Sequence, residues 1–69
     1  MKPHEITCGV YLGKDGTQRS VHSVRQEIEG GEKHWFANWH PHPDDPAKHG
    51  RSTRRVNFAR WADRKIGEE

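Results

Sequence analysis

The sequence predicts one α+β domain in which short antiparallel strands are followed by a C-terminal helix. Glycine-containing turns separate short segments rich in β-branched and aromatic residues, which is the pattern of hairpin-linked strands. Near the C-terminus, the apolar residues change to helical spacing. The chain has 69 residues, of which 29% are hydrophobic. A chain of this size forms one small core, so residues 1–69 are predicted to be a single domain.

The first strand is predicted over residues 6–12. Its apolar residues recur at every second position, which places them on one face of a strand. They are Ile6, Cys8, Val10 and Leu12. The next four residues, Gly13-Lys14-Asp15-Gly16, end in an Asp-Gly pair, a composition that accepts the positive φ angles of a tight turn. We therefore expect the chain to reverse there into an antiparallel partner.

Residues 17–29 fit two structures. Val21, Val24 and Ile28 lie at helical offsets, which allows a short helix. The segment is also rich in Thr, Ser and Val, and a tight Asp-Gly turn most naturally returns the chain into an adjacent strand. We therefore predict a bulged strand here and keep the short helix as the alternative.

A third strand is predicted over residues 34–39, after a turn at Gly30 and Gly31. Alternation within this strand places Trp35, Ala37 and Trp39 on one face. Residues 40–50 contain three prolines together with histidine and aspartate, and are predicted to form a Pro/His/Asp loop.

The C-terminal part is predicted to contain a fourth strand over residues 51–56 and a helix over residues 58–66. Asn57 is a favourable N-cap, Gly67 a favourable helix end, and residues 67–69 a disordered tail. The apolar residues of the helix form one stripe. They are Phe58, Trp61, Ala62 and Ile66. The predicted architecture is a small four-stranded antiparallel sheet, or an SH3-like open barrel, with one C-terminal helix.

The composition favours a cytoplasmic binding protein over other classes. No apolar run is long enough to cross a membrane. The single Cys8 cannot form an internal disulfide, which favours a reducing compartment. A core this small rarely supports a preorganised, water-excluding catalytic pocket, so we predict that the protein is not an enzyme.

Arginine is concentrated in residues 51–65, which carry six basic residues and one acidic residue. The planar guanidinium group pairs with carboxylates or phosphates and stacks on flat rings, so an anionic partner is predicted. The alternative is an ordinary solvated surface. The candidate partner-binding residues are Arg51, Arg54, Arg55, Arg60 and Arg64.

A second group of residues suggests a metal site. The possible ligands are His34, His40, His42, His49, Cys8, Asp44 and Asp45. Their spacing matches no standard zinc site, because the chain contains neither a C-x-x-C pair nor an H-x3-H pair. We therefore predict no bound metal and no cofactor, and interpret the histidines as polar loop residues.

Several short motifs resemble those of small proteins encoded in the early regions of bacteriophage genomes. They are Gly9-Val10-Tyr11, Lys14-Asp15-Gly16, the stretch 51–56 and the F-x-x-W-A motif at 58–62. Among such proteins, the chain is similar to short phage regulators that bind host RNA polymerase, inhibit initiation and permit read-through of terminators.

The resemblance implies a monomeric regulator that acts in the host-cell cytoplasm by docking on an RNA polymerase subunit. No catalysis and no membrane are required. Three alternatives remain open. One is a module that binds nucleic acid directly through the arginine-rich face, another is an inhibitor of a host defence complex, and the third is an adaptor stabilised by a bound metal ion.

Overall fold

The computed structural model describes residues 1–42 and 50–68 as an antiparallel sheet with one helix, an α+β fold. A short 3-10 turn, Pro3–Glu5, precedes the sheet. The remaining elements in chain order are β1 (Gly9–Gly13), β2 (Gln18–Glu29), β3 (Glu32–Pro41), β4 (Arg51–Arg54), α1 (Arg55–Trp61) and β5 (Ala62–Gly67).

The five strands lie in the order β4-β3-β2-β1-β5, so the last strand returns to pair with the first. β2 is the longest strand and pairs with β1 through its first residues and with β3 along its length. Its register with β3 shifts between Val21 and Ser23, which leaves His22 as an extra residue. The bulged strand predicted for residues 17–29 is therefore confirmed, and the helical alternative is wrong.

Both predicted tight turns are confirmed. Gly16 has φ +84° in the β1–β2 turn, and Gly30 and Gly31 have φ +55° and +81° between β2 and β3. Two consecutive positive φ angles are those of a type I′ turn, whose twist matches the flanking strands. Glycine adopts them without steric cost, so these local choices fix both chain reversals.

The core is built around Phe58 of α1. Its ring makes edge-to-face contacts with Tyr11, Trp39 and Trp61, at centroid distances of 5.4, 6.3 and 5.1 Å. The other buried hydrophobic residues come from four elements and the N-terminal segment. They are Ile6, Val21, Ala37, Ala59 and Ala62. Trp61 is only partly buried, and Trp35, although on the same strand face as Trp39, is 42% exposed.

Of the apolar face predicted for the first strand, only Ile6 is buried, and it precedes β1. The buried positions of β1 are Gly9, Tyr11 and Gly13, whereas Cys8 is exposed in the bend before the strand. A hydrophobicity pattern does not reveal this face, because two of its three positions are glycines. The glycines leave room for the side chains of Lys65 and Trp61. A Cβ at Gly9 would lie 2.3 Å from Lys65 Cε, and one at Gly13 would lie 2.1 Å from Trp61 Cε2.

The predicted helix over residues 58–66 was also wrong at both ends. It begins at Arg55, with Arg54 rather than Asn57 at the N-cap position, and ends at Trp61. The predicted fourth strand correspondingly ends at Arg54. Residues 62–67 form β5, a fifth strand, because the edge of β1 offers backbone partners that helical spacing alone cannot reveal. Ile66, assigned to the apolar stripe, is 46% exposed.

Two predicted irregular segments are only partly described. His40 and Pro41, placed at the start of the Pro/His/Asp loop, belong to β3, and residues 43–49 lie outside the described residues. Gly67, where the tail was predicted to begin, is the last residue of β5, and Glu69 lies outside the described residues. Within the described ranges, no helix is long and apolar enough to cross a membrane.

Candidate partner-binding groove

The hairpin formed by β2 and β3 extends beyond the rest of the sheet. β4 pairs with β3 only over residues 36–39, and β1 pairs with β2 only over residues 18–21. From Glu32 to Trp35, β3 therefore pairs with β2 on one side only. The other side of this segment is an open strand edge next to the start of α1.

A groove of about 200 Å³ lies along this open edge. Its lining combines the edge of β3 with the junction between β4 and α1 and with the N-terminal 3-10 turn. The lining residues are Pro3, Lys33, His34, Trp35, Arg54, Arg55 and Val56. Three of them are permanent cations and none is acidic, so the groove has a positive potential that favours anionic ligands.

The lining of the groove contains a cation–π contact between an arginine and a tryptophan. The guanidinium carbon of Arg55 lies 4.7 Å from the centroid of the Trp35 ring. Among the described residues, Arg55 Nε is a buried side-chain nitrogen without a hydrogen-bond partner. A buried donor without a partner costs free energy.

The two arginines of the groove are poorly placed for helix stability. Arg54 is the N-cap of α1 and makes no side-chain capping bond, and Arg55 is the first helical residue. The first turn contains no acidic residue, although the exposed N–H groups there favour negative charge. A local choice that opposes the fold is expected at a functional site.

The structure separates the five candidate arginines. Arg54 and Arg55 share the groove, whereas Arg51, at the start of β4, lies near Arg19. Arg60 is exposed in the last turn of α1, and Arg64 is exposed on β5, at the opposite edge of the sheet from β4.

The tip of the hairpin beside the groove is acidic. Glu27, Glu29 and Glu32 are exposed on its two strands. Arg25 partly offsets them through an ion pair with Glu27, and its guanidinium group lies 4.8 Å from the Phe36 ring centroid. A cationic groove and an acidic tip therefore lie next to each other.

A second cation and aromatic cluster lies near the β1–β2 turn. The guanidinium carbon of Arg19 is 4.0 Å from the ring centroids of both Trp39 and Trp61. Burial lowers the pKa of Arg19 from its ordinary value, and the Asp15 carboxylate opposes this shift. Trp61 Nε1 donates a 3.1 Å hydrogen bond to Asp15 Oδ1. Each side chain of this cluster contacts another of its side chains, and two of these contacts, with Arg19 and with Asp15, hold the Trp61 indole in place.

The Asp15 carboxylate links the turn to this cluster. It accepts hydrogen bonds from the Thr17 hydroxyl at 2.7 Å and from the Thr17 backbone N–H at 3.1 Å. The hydroxyl bond is the main reason that the pKa of Asp15 is lowered, followed by the backbone bond. The charged form is thus favoured in the folded protein.

Replacing Asp15 by Asn is expected to lower the free energy of unfolding at neutral pH. A lowered folded-state pKa stabilises the fold above the unfolded pKa of about 4, and that contribution is lost as pH falls through the folded pKa. Urea titrations of both proteins should therefore differ above about pH 4 and converge in more acidic buffer. A difference that persists unchanged at low pH would contradict this role for the charge.

The residues considered as possible metal ligands are only partly described, since Asp44, Asp45 and His49 lie outside the described residues. In the described part of the chain, no three His, Cys, Asp or Glu residues are grouped to hold a metal ion. His22 and His40 stack at a centroid distance of 5.4 Å on β2 and β3.

Two groove residues were missed by the sequence analysis. Trp35 was placed only on one strand face with Ala37 and Trp39, and Lys33 was not singled out at all. Trp35 differs from Ala37 and Trp39 in its position near the end of the hairpin, where β4 no longer pairs with β3. That length is a property of the pairing and is not visible in the local pattern.

Comparisons with protein-family models, with curated proteins and with solved structures each find no match to the chain. The groove, its charges and the surrounding surface are therefore the grounds for proposing a function.

Proposed function

We propose that the protein is a small regulatory binding protein that docks through the groove of Lys33, Trp35, Arg54 and Arg55 onto an acidic surface of a larger protein. The observation that carries the proposal is the Arg55 guanidinium group, 4.7 Å from the centroid of the exposed Trp35 ring, in a groove that also contains Arg54 and Lys33. Tryptophan and arginine are the residue types most enriched among interface residues that dominate binding energy.

The target is a protein rather than a nucleic acid because of the charges beside the groove. A nucleic-acid-binding surface needs a continuous positive field along the phosphate backbone. Here Glu27, Glu29 and Glu32 interrupt that field within the same hairpin. A protein partner with local acidic side chains matches the groove without approaching the acidic tip.

The resemblance to phage regulators supplies the identity of the proposed partner. It is a subunit of bacterial RNA polymerase in the host-cell cytoplasm, where docking would inhibit initiation or permit read-through of terminators. The proposal requires no catalytic step: occupation of a polymerase surface by a folded monomer is sufficient to compete with another factor.

We also infer that the sheet is an open barrel of the SH3-like type. The return of β5 to the edge of β1 supports this, as does the position of the helix between β4 and β5. The bulge at His22 bends β2 between its pairing with β1 and its pairing with the outer part of β3. Such a barrel presents the β2–β3 hairpin as a projecting arm.

A pull-down from nuclease-treated bacterial lysate tests the proposal. Tagged wild-type protein should retain the large RNA polymerase subunits, identified by mass spectrometry. The variant Lys33→Glu/Arg54→Asp should lose about 90% or more of this recovery, since like charges facing an acidic partner are repulsive. Aspartate at position 54 is a good N-cap, so the variant is expected to melt no lower than the wild type.

The matched control is Arg60→Glu/Arg64→Glu, which reverses two exposed charges outside the groove. It should retain the polymerase. Equal recovery with both double variants would move the docking site away from the groove. Recovery of nucleic acid without nuclease, and of no polymerase after nuclease, would replace the proposal by direct nucleic-acid binding.

A further inference from the structure

The open edge of β3 carries unused strand-pairing capacity inside the groove. The type I′ turn at Gly30 and Gly31 makes Glu29 and Glu32 a hydrogen-bonded pair. Because hydrogen-bonded and non-hydrogen-bonded pairs alternate in an antiparallel ladder, Lys33 and Trp35 direct their backbone N–H and C=O groups away from β2. The pair Phe36–Arg54 ends the β3–β4 ladder and leaves the Trp35 C=O facing the Arg55 N–H at the start of α1. The Lys33 N–H and C=O and the Trp35 N–H face no strand of the described chain.

The surroundings of this edge suit an extended peptide. The groove continues the line of β4, so an added strand would occupy the place that β4 leaves when the chain turns into α1. Side chains of such a strand alternate between its faces. Those on the face shared by Lys33 and Trp35 would reach the ammonium group of Lys33 and the guanidinium group of Arg55, which makes acidic residues the favoured occupants.

A second copy of this chain is a poor occupant of the same edge. Symmetric pairing of two such edges would bring Lys33, Arg54 and Arg55 of both copies together, and like charges across an interface are repulsive. Lysine on an exposed edge is a known protection against self-pairing. The same charges attract a strand of opposite charge, so the edge rejects its own copy and selects an acidic partner.

We propose that the groove binds an extended acidic peptide segment, which adds to β3 as a strand at Lys33–Trp35. This inference rests on the proposed function, because it names the form in which the protein partner is recognised. Main-chain hydrogen bonds supply affinity, and the three cations with the Trp35 ring select alternating acidic and apolar side chains.

The test uses a seven-residue peptide that alternates glutamate and valine, titrated into the ¹⁵N-labelled protein. At about ten times its Kd, the peptide should slow hydrogen exchange of the Lys33 and Trp35 amides about tenfold. Two N-methylated peptides provide the decisive comparison, one methylated on the glutamate amides and the other on the valine amides. Only one of the two should bind, because alternate amides face opposite edges of a strand.

The variants separate charge from strand pairing. Lys33→Glu/Arg54→Asp should weaken peptide binding about tenfold or more, and Arg64→Glu should leave it unchanged. Binding that depends on charge but tolerates both N-methylated peptides and protects neither amide would overturn strand addition, while the pull-down result would keep the proposed function.

Three further outcomes would also overturn the inference. The peptide could fail to bind although the polymerase is retained, an oligothymidylate could compete for the same amides, or the two amides could become protected with rising protein concentration alone. Failure of both the peptide titration and the pull-down would overturn the proposed function as well.

Discussion

Replacing Phe58 by Ala is expected to unfold the protein. Phe58 is fully buried and its ring contacts three other aromatic rings, so the substitution removes the centre of the core. Loss of a buried Phe costs about 3–5 kcal/mol. A domain of this length has a reserve of only about 3–5 kcal/mol, so the cost is comparable to the total stability. Far-UV circular dichroism should show no cooperative thermal transition.

Two further substitutions provide a milder change at Phe58 and a control on the same helix. Phe58→Leu keeps an apolar side chain of smaller volume and should retain the fold with a lower urea midpoint. Val56→Ala changes a 44% exposed residue on the same helix and should shift the free energy of unfolding by no more than about 0.5 kcal/mol. A cooperative melt of Phe58→Ala near the wild-type temperature would contradict the central place of Phe58 in the core.

The elements that the sequence predicted correctly are those determined by neighbouring residues. The turns at Gly16 and at Gly30–Gly31 depend on positive φ angles, which glycine marks directly. The bulged strand between them follows because a tight turn joins antiparallel neighbours. Phe58, which belonged to the apolar stripe of the predicted helix, is buried in the core.

The element that the sequence did not reveal is β5. Its residues were assigned to the helix because Trp61, Ala62 and Ile66 happen to lie at helical spacing. What ends the helix is the pairing of Lys65 with Tyr11 and of Gly67 with Val10, more than fifty residues apart in sequence. Local periodicity contains no information about such a pairing, so tertiary structure overrides it.

The sequence predicted the residue type and charge of the candidate site but not which residues lie together in it. The arginine-rich stretch identified Arg54 and Arg55, and their partnership with Lys33 and Trp35 depends on where β4 ends relative to β3. The same pairing separates Arg64 from them, because β5 lies at the other edge of the sheet. Composition thus indicates the sign of the charge on this surface, and strand lengths determine which charges lie together.

Gly13→Ala is expected to destabilise the protein by about 2 kcal/mol by displacing the Trp61 indole. The two closest side-chain atoms to a Cβ at this position, at 2.1 and 2.3 Å, both belong to Trp61. If the ring moves away, it loses its contacts with Phe58 and Arg19 and its hydrogen bond to Asp15. Urea denaturation monitored by tryptophan fluorescence measures the change.

Gly13 and Trp61 are expected to act as one unit, and a double-mutant cycle tests this. Trp61→Ala alone should also cost about 2 kcal/mol, less than the ~3–5 kcal/mol of a fully buried tryptophan, because its ring is partly exposed. Once the indole is absent, the Cβ of an alanine at position 13 no longer clashes with the side chain that lies closest to it. The double variant should therefore be no less stable than Trp61→Ala, with a coupling energy of about 2 kcal/mol. Additive losses would show that Gly13 is required by the β1 backbone itself and not by the ring that packs on it.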